Sequence, residues 1–285
     1  MMPSQIHLSI RGKHRQPEIV QFSGGELHPK IPPEFKGENV EVMAKIFDAH
    51  GLVSLGLILN ALTHMKCGVR LTIPYMPYSR QDRVCAEGQA FSLRWLTRAI
   101  FKEACLQQIV TWDMHSLDGL NELADGLQGY TVSVSQAEIL SRDNIVSKRI
   151  KEYGDVVMIQ PDKGAASRCD YLYALSLFSG KCVGNKVRDP DSGWITKYDL
   201  SGDSVDGKTC FITDDICDGG MTFNLLAKEL KSRGARRIIL FVTHGIFSKG
   251  LDELRENIDE IYCTNSVTRM QDVDGVVYVK RYGEI

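Results

Sequence analysis

FITDDICDGGMT, residues 211–222, is the stretch from which the fold can be read. The apolar run Cys210–Thr213 has strand character and runs straight into two carboxylates, Asp214 and Asp215. A tight turn with two adjacent glycines follows, and Thr222 stands at the head of an amphipathic stretch that reaches Ser232. Strand, acidic end, Gly-rich turn and helix, in that order, make a βα unit of a parallel sheet. In such sheets the ligand crevice lies outside the carboxyl ends of the strands. Working outward, Ile238–Thr243 reads as the next strand. Upstream, Val156–Gln160 ends in Pro161-Asp162, Gln108–Thr111 in Trp112-Asp113, and Val69–Ile73 at Pro74. Phe91–Lys102 reads as a helix with Leu93, Leu96, Ile100 and Phe101 on one side. This alternation predicts an α/β protein with mainly parallel sheets flanked by helices. The second half repeats the layout of the first. Two domains are therefore expected, residues 1–133 and 134–285, parted near the point where GYTVSVSQ follows the ADGLQG turn. One continuous sheet is the alternative.

The 211–222 segment also carries chemistry. Adjacent carboxylates accept hydrogen bonds from two vicinal hydroxyls. Gly219 and Gly220 let backbone approach an anion closely, and a helix N-terminus offers free N–H groups to a phosphate. Together they would hold a ribose with a phosphate at one end; an acidic turn followed by an ordinary helix cap is the plainer alternative. The pattern GDSVDGKT at 202–209 fits a GxxxxGK[ST] phosphate loop, but a strand follows it where that motif needs a helix, so it reads as a polar turn.

The bulk numbers narrow the class. The chain has 285 residues, 43% hydrophobic and 25% charged, as expected of a globular protein. A net charge of −2 leaves no electrostatic footprint for nucleic acid. No apolar run approaches the ~20 residues of a membrane span, and the first residues lack a signal-like apolar segment. Eight scattered cysteines without a CxxC pair suit reduced thiols in a cytoplasmic protein.

With these motifs in view, the sequence resembles the ribose-phosphate pyrophosphokinase (phosphoribosyl-diphosphate synthase) family. TDDICDGGMT is similar to that family's ribose-phosphate loop, which phosphoribosyltransferases share. PYMPYSRQDR (74–83) resembles its ATP-binding segment, WDMHS (112–116) its metal and ATP-phosphate segment, and QPDKGAASR (160–168) its PDxGG-type loop with Ala165 at the second glycine. THGIFSKG (243–250) resembles a segment late in the second domain. RQDRVCAEG is most like phage-encoded members, for which the host cytoplasm is the expected location.

The resemblance implies two tandem phosphoribosyltransferase-like domains and diphosphate transfer from ATP, with Mg²⁺ as cofactor. It implies ATP-binding roles for Phe22, Glu26, Arg80, Gln81, Asp82 and His115, and metal roles for Asp113, His115 and Asp162. The ribose phosphate falls to Asp214, Asp215, Asp218, Gly219, Gly220, Met221 and Thr222. Lys186 and Arg188, in VGNKVRD, match the basic pair of the family's catalytic loop and would act with His115. Phe22 and Glu26 match a segment that reaches adenine in a neighbouring subunit, which implies a homo-oligomer with a shared active site.

Two departures bear on the acceptor. Gly219 stands where the family has threonine, and Met221 where it has glycine. The acceptor is accordingly ribose 5-phosphate or, if the loosened clamp admits a longer 5′ substituent, ADP-ribose, whose 1-diphosphate could feed NAD re-synthesis. Phosphoribosyl transfer to a base, or an inactive regulatory relative, are the competing classes. The loop after Arg188 differs in composition and contains Trp194.

Overall fold

A computed structural model describes residues 4–102, 104–127, 129–142, 144–188, 195–267 and 276–278. The chain divides at Val134/Ser135 into two compact units.

The first unit contains β1 (Gln5–Ile10), β2 (Lys13–Arg15), a hairpin of β3 (Glu18–Gln21) and β4 (Leu27–Lys30), then β5 (Asn39–Lys45), α1 (Ala49–His64), β6 (Gly68–Thr72), α2 (Ser92–Leu96), β7 (Leu106–Trp112), α3 (Leu117–Asp125) and β8 (Tyr130–Val134). Its main sheet has the order β2-β1-β5-β6-β7-β8. Strands β5 to β8 run parallel, and β1 and β2 are added antiparallel. Along β5 buried and open positions alternate, with Val40, Val42 and Ala44 turned inward. Those residues and Leu71 share one core with Leu52, Leu55, Ile58, Leu59 and Leu62 of α1, a stripe at helical spacing. Asp48 caps α1 by accepting the Gly51 N–H at 2.8 Å.

The second unit contains α4 (Gln136–Arg142), α5 (Asn144–Tyr153), β9 (Val156–Gln160), α6 (Ala166–Tyr173), β10 (Gly180–Arg188), β11 (Ile195–Gly202), β12 (Thr209–Cys217), α7 (Met221–Ser232), β13 (Arg237–Gly245), α8 (Asp252–Arg255), β14 (Glu260–Thr264) and β15 (Val276–Tyr278). Its sheet has the order β11-β10-β9-β12-β13-β14-β15, parallel except for the β10–β11 hairpin. All five residues of β9 are buried. A central parallel strand covered on both faces has no solvent side, so its sequence is a continuous apolar run rather than an alternation.

Three elements differ from the sequence expectation. The 91–102 helix begins at Ser92 and widens into a π-turn over Thr97–Phe101. There the Thr97 hydroxyl donates to the Leu93 carbonyl at 3.0 Å, and the Lys102 N–H reaches back to Thr97 O at 3.0 Å. Strand β12 does not stop at Thr213. It runs on to Cys217, because β13 pairs with it as far as Cys217↔Gly245 and so holds Asp214 and Asp215 within the strand. Met221, not Thr222, opens α7. Residues 202–209 form the turn between β11 and β12, and a strand follows them.

Candidate active site

In the second unit the carboxyl ends of β9 and β12 lie side by side, since Ile159 pairs with Ile212. Asp214 and Asp215 share one cation. Arg168 of α6 donates from Nη1 to Asp214 Oδ1 at 3.2 Å, and its Nη2 stands 3.7 Å from Asp215 Oδ2. All three side chains are largely buried, with 11%, 17% and 7% of their surface open for Arg168, Asp214 and Asp215. Burial, and then the neighbouring Asp215 charge, push the Asp214 carboxyl well above the ordinary carboxylate range, while Arg168 pulls it back. Arg168 thus opposes the effects of burial and of Asp215 on this pair, a role its sequence context did not mark.

Beneath the pair sits Gln136, fully buried at the start of α4. Its amide N–H₂ donates to the Asp214 carbonyl at 2.7 Å and to Thr243 Oγ1 at 3.0 Å, and its carbonyl accepts the Thr213 hydroxyl at 2.5 Å. This network ties the ends of β12 and β13 together. His244 and Ser266 extend it, joined by an Nδ1–Oγ contact of 2.7 Å.

The turn after β12 presents backbone. Gly220 is the N-cap of α7 in the left-handed region, φ 77°, with no side-chain cap. A Cβ there would also stand 3.0 Å from the Leu254 side chain, so the left-handed backbone and the tight contact both favour glycine. Gly219 is different. Its φ lies outside the left-handed region, and a Cβ would meet only the Lys249 methylenes, at 3.5 Å and beyond. Among the described residues, no acceptor takes the N–H groups of residues 219–222. Four consecutive donors at the positive end of a 12-residue helix form a phosphate cradle in chemical kind. Asp218, Gly219 and Thr222 are half-buried beside it, and Met221 is 43% exposed.

After β9, Asp162 accepts the Ala165 N–H at 3.2 Å and the Lys186 ammonium at 2.5 Å. Burial pushes the Asp162 carboxyl up, but the Lys186 hydrogen bond and charge outweigh it and hold the group below its ordinary value. One proposed metal ligand and one proposed catalytic lysine thus pair with each other. The Arg188 side chain and Trp194 lie outside the described residues, as does the loop 189–194.

In the first unit the two segments expected to hold ATP are laced together. The Pro74 carbonyl accepts from Trp112 N–H at 2.9 Å and the Thr111 hydroxyl at 3.2 Å. The Ser116 hydroxyl donates to Asp82 Oδ2 at 2.5 Å and accepts the Gly119 N–H at the head of α3. The Gln81 carbonyl accepts the Leu93 N–H at 3.2 Å, which docks the loop on α2. Arg80, Gln81 and His115 are exposed, whereas Asp113 is buried with a left-handed backbone, φ 40°. Its N–H donates to the Val134 carbonyl at 2.8 Å. Phe22 and Glu26 lie exposed at the tip of the β3–β4 hairpin, where the Phe22 N–H donates to the Glu26 carbonyl at 2.9 Å.

Among the described residues no group of three or more His, Cys, Asp or Glu side chains could hold a metal ion unaided. Asp113 follows β7 in the first unit, and Asp162 follows β9 in the second.

The sequence profile of the phosphoribosyl synthetase-associated domain matches residues 196–280. A ribose-phosphate pyrophosphokinase of Sulfolobus acidocaldarius is 28% identical over 278 residues, covering 90% of this chain and 86% of that protein. One from Thermococcus kodakarensis is 28% identical over 255 residues, covering 88% and 85%. The crystal structure of phosphoribosylpyrophosphate synthetase from Mycobacterium smegmatis superposes with a TM-score of 0.77 at 21% identity, over 92% of this chain and 85% of that one. Over most of its length the chain is similar to ribose-phosphate pyrophosphokinases. Its two parallel sheets flanked by helices are the architecture of that synthetase fold. Among the described residues no helix is long and apolar enough to cross a membrane.

Proposed function

We propose that the protein transfers the β,γ-diphosphate of ATP to the anomeric hydroxyl of ribose 5-phosphate, giving phosphoribosyl diphosphate and AMP. The C1 hydroxyl oxygen bonds to the β-phosphorus as the bond from that phosphorus to the α–β bridging oxygen breaks. The hydroxyl proton is lost, and AMP departs with the bridging oxygen. Such transfer asks the protein for alignment and charge neutralisation rather than covalent chemistry.

The observation that carries this reading is the carboxylate pair held by Arg168 on the strand that leads into the free N–H groups of 219–222. Acceptors for vicinal hydroxyls and donors for a phosphate stand at the two ends of one short segment. Asp218, Gly219, Gly220, Met221 and Thr222 take the phosphate, and Asp214 and Asp215 the ribose hydroxyls. Lys186 and Arg188 neutralise the diphosphate in transit. Arg80, Gln81, Asp82 and His115 hold ATP, and Phe22 and Glu26 take the adenine of a neighbouring subunit in a homo-oligomer. Asp113 and His115 in the first unit, and Asp162 in the second, are the residues that would bind Mg²⁺, which would supply charge neutralisation.

A second reading concerns the acceptor alone. The backbone does not demand glycine at 219, and no side chain there can clamp a phosphate. A loop with one fewer clamp suits a 5′-phosphate that continues into a larger group, as in ADP-ribose.

The test is to incubate protein with Mg²⁺ and ATP plus ribose 5-phosphate or ADP-ribose, then quantify AMP and weigh the sugar product. AMP with ribose 5-phosphate supports the first reading, and AMP with ADP-ribose alone replaces it with the second. AMP with neither overturns both.

A further inference from the structure

The THGIFSKG segment has no assigned task in this scheme, yet it is bound to the phosphate loop. The N–H groups of Ile246 and Phe247 both donate to the Cys217 carbonyl, at 2.8 and 3.1 Å. The Ser248 N–H donates to the Asp218 carbonyl at 3.1 Å. Phe247 adopts a left-handed backbone, φ 49°, and Gly250 closes the turn on its carbonyl at 2.9 Å. This lacing lays the stem of Lys249 over Gly219. A Cβ on that glycine would stand 3.5 Å from the lysine Cδ, 3.6 Å from Cε and 3.8 Å from Cγ.

Lys249 is exposed, and among the described residues no carboxylate pairs with its ammonium. The loop that lacks a side chain at 219 is therefore overlain by a cation-bearing one from the next strand's end. The ammonium is one bond beyond the Cε that borders Gly219, the residue with the first of the unused N–H groups of 219–222.

We propose that Lys249 is a specificity-determining residue of this site, pairing with the phosphoryl group on the 5′ side of the ribose. It does with a mobile charge what a hydroxyl at 219 would do with a fixed hydrogen bond. A flexible stem with three rotatable donors serves a terminal phosphate or the first phosphate of a diphosphate alike. The inference rests on the functional reading above.

Lys249→Met keeps the stem and removes the charge, and Lys249→Arg keeps both. Steady-state kinetics are run with ribose 5-phosphate and with ADP-ribose, and calorimetry measures binding of each acceptor without ATP. A charge-assisted contact predicts that Lys249→Met raises acceptor KM and Kd on the order of tenfold. The KM for ATP stays within about twofold, Lys249→Arg recovers most of the loss, and the wild-type advantage shrinks as salt rises. The acceptor whose affinity falls identifies the phosphoryl group concerned. Unchanged acceptor affinity in a Lys249→Met protein with the wild-type melting temperature overturns the inference alone, as does a loss confined to ATP. A wild-type protein that binds neither acceptor and makes no AMP overturns the functional reading and this inference with it.

Discussion

Replacing Arg168 with methionine is the most informative perturbation of the second unit. The guanidinium stands 3.2 Å from one buried carboxylate and 3.7 Å from the other. At an effective dielectric of about 20, each contact is a gross attraction of roughly 5 kcal/mol. Desolvation of the three ions offsets most of that sum. Removing one partner of a buried pair leaves the opposite charges uncompensated, which costs about 3–5 kcal/mol. Taking the lower figure, Arg168→Met lowers the melting temperature by roughly 6–12 °C. The pH dependence gives the sign. The Asp214 carboxyl is already raised, by burial first and then by Asp215, and losing the Arg168 charge raises it further. A folded-state value above the unfolded one means that stability is fullest below the unfolded value and is lost as pH rises through the folded value. The gap between Arg168→Met and wild type should therefore be small below the raised wild-type value, where a proton replaces the guanidinium, and should widen as pH rises through it. Adding Asp214→Asn to Arg168→Met should recover part of the loss at neutral pH. Chemical denaturation followed by circular dichroism from pH 4 to pH 8 measures all three. A stability loss below about 1 kcal/mol at pH 7, or a gap that does not change with pH, would refute the view that Arg168 neutralises the pair.

Lys186→Ala should lower turnover by at least ~100-fold, an electrostatic loss of about 2.7 kcal/mol, and near-normal turnover of the folded variant would remove Lys186 from the chemistry. The same change releases Asp162. Its folded carboxyl lies low, so its share of stability is present above the ordinary carboxylate value and lost as pH falls through the folded one. Acid titration of Lys186→Ala should show a smaller loss in that range than wild type. Gly220→Ala should destabilise by about 2 kcal/mol through its left-handed backbone and the Leu254 contact, whereas Gly219→Ala should stay within about 0.5 kcal/mol; equal effects in thermal melts would contradict the loop geometry. Glu260 accepts from Arg149, Arg237, Tyr153 and Tyr262, and its carboxyl is held low against burial chiefly by Arg149. Glu260→Ala should cost about 2–3 kcal/mol at pH 7 and flatten the stability loss of wild type in acid, both read from denaturant midpoints.

The sequence by itself determined the class of fold. Apolar runs too short for helices, each ending in a polar cluster, require parallel strands with a ligand edge, and β9 occupies the very residues its apolar run marked. The 211–222 segment announced its chemistry through residue type alone, because paired carboxylates, adjacent glycines and a helix start are local features. The charge state of that segment was decided by tertiary structure. Arg168 meets Asp214 across 46 residues, Gln136 meets Thr213 across 77, and Lys186 meets Asp162 across 24. No period or spacing records such meetings, since they arise only when neighbouring strands are brought to one edge. The same holds for the extent of β12. Two adjacent acids read as the end of a strand, but pairing with β13 and neutralisation by Arg168 let the ladder continue through them to Cys217. Lys249 over Gly219 is a further case, for a lysine in a loop reads as solvated surface until the fold lays it across a glycine. Residue chemistry is written along the chain, whereas the partner that sets each group's charge is chosen by packing.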